Sequence, residues 1–360
     1  MAEGELTRDW IGTLQEDFSL HTHHVINLTS ALYHPWGSRT GSAIAAILYT
    51  AWISGVNLFL VFLLITNVKL LNSRQNVVLL HNAVSDLSTG VFYFTLTADF
   101  FIRAVWTHGC PAFFVWFTFV FPLTFLGCHS VLILLAMRLM EGISRWRAFS
   151  FSATVKNILL GAVFVLIWTY LVIIGAFISA RRHDNVHIAI APGVTCRALV
   201  ASQGAVVINV LVYFLPASLS LLLLLAVVIW EKTTQAPPTI QLRLETDTER
   251  CASLPLPVLA LVTTLTSVLP LPAFLITTFM ASGACASVSC PAWLLPLGTV
   301  SDWVLFAKSG LVPIMFFLAP DFRSAAQGAL YHFRRIPTSD TRDLVTSMAD
   351  EEDDTPFSSM

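Results

Sequence analysis

The chain has 360 residues, of which 56% are hydrophobic and only 12% are charged. Because soluble globular domains are about 25% charged, this composition excludes an ordinary water-soluble protein. The net charge of −2 points to no particular partner, and we expect no binding of nucleic acid.

Seven apolar stretches predict helices that cross a lipid bilayer. A helix needs about 20 mostly apolar residues to cross the hydrocarbon core, since each residue advances it by about 1.5 Å. The predicted spans cover approximately residues 43–66, 76–99, 111–140, 157–180, 204–230, 254–280 and 293–319. The predicted fold is therefore all-α, an integral membrane protein whose seven-transmembrane helix bundle occupies residues 43–319.

Residues 1–42 form an amino-terminal segment that we expect to be extracellular. The segment contains acidic and basic residues but no apolar run, so no cleavable signal peptide is expected. In this orientation the inner loops hold about twice as many Lys and Arg residues as the outer loops, as the positive-inside rule requires. Asn27 begins the sequence Asn-Leu-Thr, which can be glycosylated only on the lumenal or extracellular side. The expected location is the plasma membrane.

Two segments follow the last predicted span. Residues 320–335 combine Phe322, Leu330 and Phe333 with arginines, which predicts a short amphipathic helix on the membrane surface, in contact with lipids. Residues 336–360 are acidic and rich in Ser and Thr, which predicts a disordered cytoplasmic tail. Phosphates on that tail would add negative charge and create a binding segment for arrestin.

Several spans carry one characteristic residue or pair. In the second span Asn82 and Asp86 are separated by three small or apolar residues, and the first span contains Gly55-Val56-Asn57. Four further spans each contain one landmark: Trp168, Pro216, Pro272 and Pro313. Together these residues resemble the pattern of rhodopsin-like (class A) G protein-coupled receptors, over about residues 43–335.

Three shorter patches narrow this resemblance. The third span contains Phe125-Leu126-Gly127, residues 192–196 read Pro-Gly-Val-Thr-Cys, and residues 268–272 read Val-Leu-Pro-Leu-Pro. Locally these patches are most similar to prostanoid receptors. The resemblance implies a receptor for an extracellular or lipid-borne signal, with a small lipid-like ligand and a heterotrimeric G protein as partners. It also implies a disulfide between Cys110 and Cys196, which an oxidising outer side permits.

The resemblance further implies a polar core inside the bundle. Its expected members are Asn57, Asp86, Ser130 and Lys308. Charges within a membrane are costly and need a partner. The Lys308 ammonium would stand beside Asp86, where related receptors hold a sodium ion; in the alternative reading Lys308 reaches a lipid headgroup.

The inner end of the third span departs from the family pattern. The family has an acidic residue followed directly by Arg, whereas residues 138–142 read Arg-Leu-Met-Glu-Gly. Arg138 and Glu141 either replace the family's switch with a local pair or form an ordinary polar helix end. The residues expected to face the G protein are Arg138, Glu141, Arg145, Arg147 and Arg323.

Two further positions and one interval differ from the family pattern. Val312 precedes Pro313 where the family has Asn or Asp, and Trp303 stands where prostanoid receptors have the Arg that binds a ligand carboxylate. The interval from Cys110 to Ser130 is about six residues longer than in the prostanoid family, which predicts an extended turn at the start of the third span.

The other cysteines and the histidines indicate no catalytic or metal site. Cys285 and Cys290 either close a small outer-loop disulfide or are free thiols, and Cys128 and Cys251 are predicted to fill apolar space. The histidines at positions 21, 23 and 24 are expected to be solvated, because a metal needs more fixed ligands. We find no nucleotide-binding loop and no hydrolytic triad, so we expect no enzyme activity and no cofactor.

The leading hypothesis is therefore a prostanoid-receptor-like G protein-coupled receptor with atypical activation motifs. The missing acid–Arg pair keeps a second reading open, a non-signalling scaffold or decoy receptor. A seven-helix transporter is the third, although the inverted repeats expected of many transporters are not found in the sequence.

Overall fold

The structure is a computed structural model that describes residues 25–27, 38–147, 153–180, 185–191, 194–199, 203–234, 254–281 and 293–334. The helices, in chain order, are α1 (Arg39–Thr66), α2 (Val68–Leu71), α3 (Arg74–Ser88), α4 (Thr95–Arg103), α5 (Gly109–Thr118), α6 (Val120–Arg147), α7 (Ala153–Ala180), α8 (Gln203–Asn209), α9 (Leu215–Thr234), α10 (Leu256–Val268), α11 (Leu271–Ala281), α12 (Leu294–Phe316) and α13 (Pro320–Arg334). Two π-helical segments, Thr89–Phe94 and Val210–Phe214, join α3 to α4 and α8 to α9.

Within the described ranges, five helical stretches are long and apolar enough to cross a membrane. They are Arg39–Thr66, Gly109–Met140, Asn157–Ile174, Gly204–Thr233 and Leu256–Ala281. A sixth results if Pro296–Phe316 and Pro320–Tyr331, which are bent by 87° relative to each other, are counted as one broken span. The protein is therefore a mainly helical membrane protein, and the five stretches coincide with the predicted first, third, fourth, fifth and sixth spans.

Proline and the π-helical segments shape two of these stretches. A proline ring removes the N–H that would bond to the carbonyl four residues earlier. Pro216 stands two residues after the π-helical segment that joins α8 to α9, and the break between α10 and α11 falls next to Pro270 and Pro272. Pro216 and Pro272 thus lie at helix irregularities, which is where proline residues within spans are expected.

The start of the third predicted span differs from the expectation. The additional residues after Cys110 were expected to form an extended turn, but they form the ten-residue helix α5. Phe119 then separates α5 from α6, with its N–H bonded to the carbonyl of Trp116. The prediction of an extended turn was wrong because the aromatic side chains of α5, including Phe113 and Trp116, are buried in the core and hold this segment as a helix.

A small sheet lies where the sequence indicated only loops. Strand β1 (Val25–Asn27) pairs in parallel with β2 (Asn185–Ala191), and β2 pairs antiparallel with β3 (Val194–Leu199). Cys196 in β3 and Cys110 in α5 are at disulfide-bonding distance, with Cα atoms 5.2 Å apart. The hairpin is therefore fastened to the end of the helix bundle, which we call the disulfide end.

The bundle core has a different character in its two halves. Towards the disulfide end many of the buried residues are aromatic, among them Phe94, Phe125 and Phe306. Towards the opposite end, where the N–H of Leu254 bonds to the side chain of Gln75, the core is mainly aliphatic. Buried polar residues around Asp86 and Lys308 lie between these halves.

The helix α13 closes the described part of the chain. It turns away from α12 by 87°, and Phe322 is buried against Phe316 with ring centroids 6.1 Å apart. Leu330 and Tyr331 are more than half exposed. A helix is thus present within the predicted range 320–335, but Phe322 packs into the bundle and is not part of an exposed apolar face.

Candidate functional site: a buried polar core

Asp86 is the centre of a group of polar residues enclosed by the helices. It lies near the end of α3 and is fully buried. Its Oδ2 accepts a hydrogen bond from Nδ2 of Asn82, one helical turn earlier, at 2.7 Å. Its Oδ1 accepts one from Oγ of Ser309 at 2.7 Å and lies 3.3 Å from Nζ of Lys308. The carboxylate therefore receives three donors, two of them from α12.

Lys308 lies inside the bundle and does not extend toward the membrane surface. Its side chain is only 2% exposed, and its ammonium lies close to Gly127 of α6. A Cβ placed on Gly127 would be 2.7 Å from Nζ, too close for an ordinary contact, so the absence of a side chain at Gly127 makes room for the ammonium.

The proximity of the two charges explains how both are tolerated in the core. Removing either ion from water costs several kcal/mol, and a nearby opposite charge together with further hydrogen bonds offsets much of that cost. Asp86 has both, since Asn82 and Ser309 donate to the same carboxylate that faces Lys308.

Pro313 connects this core to α1. Because proline has no N–H, the carbonyl of Ser309, four residues earlier in α12, has no backbone partner in its own helix. Asn57 of α1 donates its Nδ2 to that carbonyl at 2.7 Å and also to the carbonyl of Ile53 at 2.9 Å. Asn57 and Pro313, which the sequence indicated separately, thus act together to join α1 to α12.

Ser130 lies beside the core but does not contact Asp86. Its side chain is buried and lines a small cavity together with Asn82, Thr266 and Phe316. Within the described ranges, no hydrogen bond joins Ser130 to another side chain. The hydroxyl that contacts Asp86 belongs instead to Ser309, which the sequence analysis did not identify because the family pattern directed attention to the third helix.

Arg138 has a partner that the sequence analysis did not consider. Its Nε lies 2.7 Å from Oε1 of Glu231, which joins α6 to α9 at the opposite end of the bundle. Both side chains are largely buried, with 21% and 26% exposure. Arg138 therefore forms an interhelical ion pair, which corresponds to neither alternative drawn from the sequence; the side chain of Glu141 lies outside the described residues.

The other residues expected to face a G protein are only partly described. Arg145 and Arg147 belong to the last turns of α6, but their side chains lie outside the described residues. Arg323 is exposed on α13.

Trp168, the landmark residue of the fourth predicted span, has a half-exposed side chain. Trp168 is 47% exposed, and its Nε1 donates a hydrogen bond to Nε2 of His81 at 3.2 Å. This bond links α7 to α3, and it gives Trp168 a specific polar partner in the bundle.

The remaining cysteine and glycosylation predictions have mixed outcomes. Cys110 and Cys196 are at disulfide-bonding distance, as the resemblance implied. Cys128 is a buried free thiol. Cys251, Cys285, Cys290 and the tail at 336–360 lie outside the described residues. Asn27 belongs to β1, and only its backbone is described.

Asp302 is a further carboxylate within a predicted span, and the sequence analysis missed it. It lies in α12, between the buried residues Ser301 and Trp303. A charge within a membrane-spanning segment needs an explanation. This rule drew attention to Asp86, and it applies equally to Asp302. The resemblance drew attention to Trp303 at the neighbouring position instead.

The polar core offers no ready metal site. Across the described ranges, no group of three or more His, Cys, Asp or Glu side chains is placed to hold a metal ion. What the arrangement can do is couple α3 to α12 through a buried ion pair, and α1 to α12 through the hydrogen bond of Asn57. A comparison with protein-family models and with curated proteins found no match for the chain.

Proposed function

We propose that this protein is a seven-helix receptor of the plasma membrane that transmits an outer signal to a heterotrimeric G protein. The observation that carries the proposal is the contact of Asp86 with Lys308 and Ser309, in the interior between α3 and α12. Together with the Asn57 bond to α12, this core makes the relative positions of three helices depend on one group of side chains. A displacement of one of these helices at one end of the bundle can therefore change the helix positions at the other end.

The number of spans is part of the proposal. Two helical runs add to the five apolar stretches: residues 74–103, which are helical throughout, and Leu294–Phe316. Each contains more residues than the roughly 20 that a span needs. The bend of 87° after α12 favours α13 as a separate helix on the membrane surface rather than a continuation of the span.

The orientation follows from the chemistry of the two ends. A disulfide persists in an oxidising compartment, which favours the disulfide end as the extracellular one. The opposite end then faces the cytoplasm and presents the Arg138–Glu231 pair and the exposed Arg323. We propose that the G protein docks at this end and that the acidic tail recruits arrestin.

A second candidate function is supported by the same Arg138–Glu231 pair. An arginine held by an acid on a neighbouring helix is not free to contact a partner protein. If the pair never opens, the chain is a non-signalling scaffold or decoy that retains the receptor architecture. For the transporter reading, the burial of Asp86 among three donors is unfavourable, because an ion-coupling carboxylate has to exchange its ion with water.

The decisive experiment is expression of the full chain in cultured cells with an amino-terminal epitope tag. Antibody binding to intact cells measures surface delivery and orientation, and second messengers for each G protein class measure signalling. The receptor proposal predicts tag exposure on intact cells and a response in one class above that of mock-transfected cells. A tag accessible only after permeabilisation contradicts the orientation. If the surface-expressed protein raises the second messenger of no G protein class, and the Glu231→Gln variant does not either, the result favours the scaffold reading.

A further inference from the structure

Asp302 points into the bundle near its disulfide end. On a helix, residues three, four and seven positions apart share one face. The residues at these distances from Asp302 are Leu305, Phe306 and Ser309, and all three are buried in the core. Because a helix advances about 1.5 Å per residue, Asp302 stands about 10 Å along α12 from Ser309 and its Asp86 contact.

Asp302 differs from Asp86 in its surroundings. In the part of the chain that the structure describes, no side chain forms an ion pair or a hydrogen bond with Asp302. The side chain of Asp302 is partly exposed, so the protein does not fill the space beside it. An ionised carboxylate in this position calls for a positive partner.

The surroundings of Asp302 are aromatic. Its helix neighbours Trp303 and Phe306 belong to a cluster in which Phe306 stacks on Tyr93, with ring centroids 4.1 Å apart. Trp303 contacts Phe94 at 5.3 Å and Tyr49 at 5.1 Å. Because Phe306 and Tyr93 cover each other's ring faces, the cluster forms an apolar wall, against which the carbon groups of an organic ammonium ion can pack.

We propose that Asp302 and the aromatic cluster next to it form the binding site for a small organic cation, a primary or quaternary ammonium compound. The carboxylate supplies the opposite charge, and the aromatic cluster supplies an apolar wall for the carbon groups of the cation. A ligand whose headgroup is a carboxylate, such as the lipid mediators of prostanoid receptors, is disfavoured because Asp302 would repel it. The inference rests on the proposed receptor function in that it names the ligand class for the outer half of the bundle.

The test measures binding without signalling, so that failure of this inference and failure of the receptor proposal are distinguishable. The full chain is purified in lipid nanodiscs, and its unfolding temperature is followed by tryptophan fluorescence. The probes are choline and phenethylamine, each compared with its uncharged counterpart, 3,3-dimethylbutan-1-ol and 2-phenylethanol. Ligands that bind the folded state raise the unfolding temperature in a saturable manner.

The variant is Asp302→Asn, which keeps the shape of the side chain and removes its charge. Its matched control is Asp99→Asn, since Asp99 is an acid near the same end that already pairs with Arg103 at 2.6 Å. We expect at least one cation, but neither uncharged counterpart, to raise the unfolding temperature. In Asp302→Asn the apparent affinity should fall by about tenfold or more, the loss that about 1.4 kcal/mol produces. Asp99→Asn should behave as wild type.

Three results would overturn the inference. The first is that neither cation alters the unfolding temperature, and the second is that the shift persists undiminished in Asp302→Asn. The third is that Asp302→Asn without ligand fails to fold or unfolds at a much lower temperature, because this would mean that a cation of the chain itself already pairs with Asp302. A second variant, Asp302→Glu, keeps the negative charge and should retain cation binding. Cation binding without a second-messenger response would leave this site in place and contradict only the receptor proposal.

Discussion

Lys308 places its ammonium 3.3 Å from a carboxylate oxygen of Asp86, at a point where the two side chains are 2% and 1% exposed. The two residues are 222 positions apart in the chain, so their contact is a direct link between α3 and α12. Hydrogen bonds from Asn82 and Ser309 to the same carboxylate make Asp86 the best-satisfied charged group of the core.

Gly127→Ala should displace the ammonium of Lys308. The new methyl group would lie 2.7 Å from Nζ, which cannot move freely because it faces Asp86. We expect a loss of about 1–3 kcal/mol in the free energy of unfolding, as for other overpacked cores. The loss should largely disappear in a Lys308→Met background, whose flexible thioether can rearrange. An equal loss in both backgrounds would mean that Lys308 does not occupy the space beside Gly127.

Asn57→Ala should destabilise the contact between α1 and α12. The substitution removes the only side-chain donor that the described residues provide to the carbonyl of Ser309, and an unsatisfied buried carbonyl costs about 1–3 kcal/mol. In a Pro313→Ala background the new N–H of residue 313 can bond to that carbonyl, so Asn57→Ala should cost less there. Thermal unfolding of the four proteins measures this difference. Equal costs in both backgrounds would contradict the role assigned to Pro313.

Cys110 and Cys196 should be recovered as one linked pair of peptides. Their sulfur atoms are at bonding distance in the structure, and the link fastens β3 to α5. Digestion of surface-expressed protein under non-reducing conditions, followed by mass spectrometry, identifies the linked peptides, and reduction before digestion serves as the control. Recovery of both residues as free thiols would remove the disulfide end as a marker of the extracellular side.

The sequence predicted the helices well and the polar contacts only in part. Long apolar runs predict spans directly, and the burial of Asp86 and Lys308 follows from the cost of charge in a membrane. The pairing of Ser309 with Asp86 could not be predicted, because rotation of α12 decides whether Ser309 or another hydroxyl faces α3. The Arg138–Glu231 pair was missed because Glu231 lies at the end of a predicted span, where an acid needs no partner. The pairing of β1 with β2 could not be predicted because these strands are distant in sequence, whereas the hairpin of β2 and β3 is local and could have been found from the turn residues Pro192 and Gly193 between its strands.

Glu231→Gln should raise basal signalling if the receptor proposal is correct. The substitution weakens the ion pair that holds α6 to α9 and releases Arg138 at the end where we propose that the G protein docks. We expect a severalfold rise in the second messenger of the class to which the protein couples. Lys232→Gln is the matched control, since Lys232 is the next residue in α9 and is exposed. An unchanged or lower basal response in Glu231→Gln alone would contradict the idea that this pair restrains signalling.

The central claim is that Asp86 and Lys308 form a coupled pair, and a double-mutant cycle on the purified protein tests it most directly. Asp86→Asn or Lys308→Met alone leaves one buried charge without its counterion, which should cost about 3–5 kcal/mol in the free energy of unfolding. The double substitution leaves no unpaired charge and should recover much of this loss, so the cycle should give a large coupling energy. The exposed pair of Asp99 and Arg103 provides the control, because such pairs couple by only about 0.2–1 kcal/mol. If the losses of the two single substitutions simply add, Lys308 and Asp86 are not partners, and the polar core does not couple the helices as proposed.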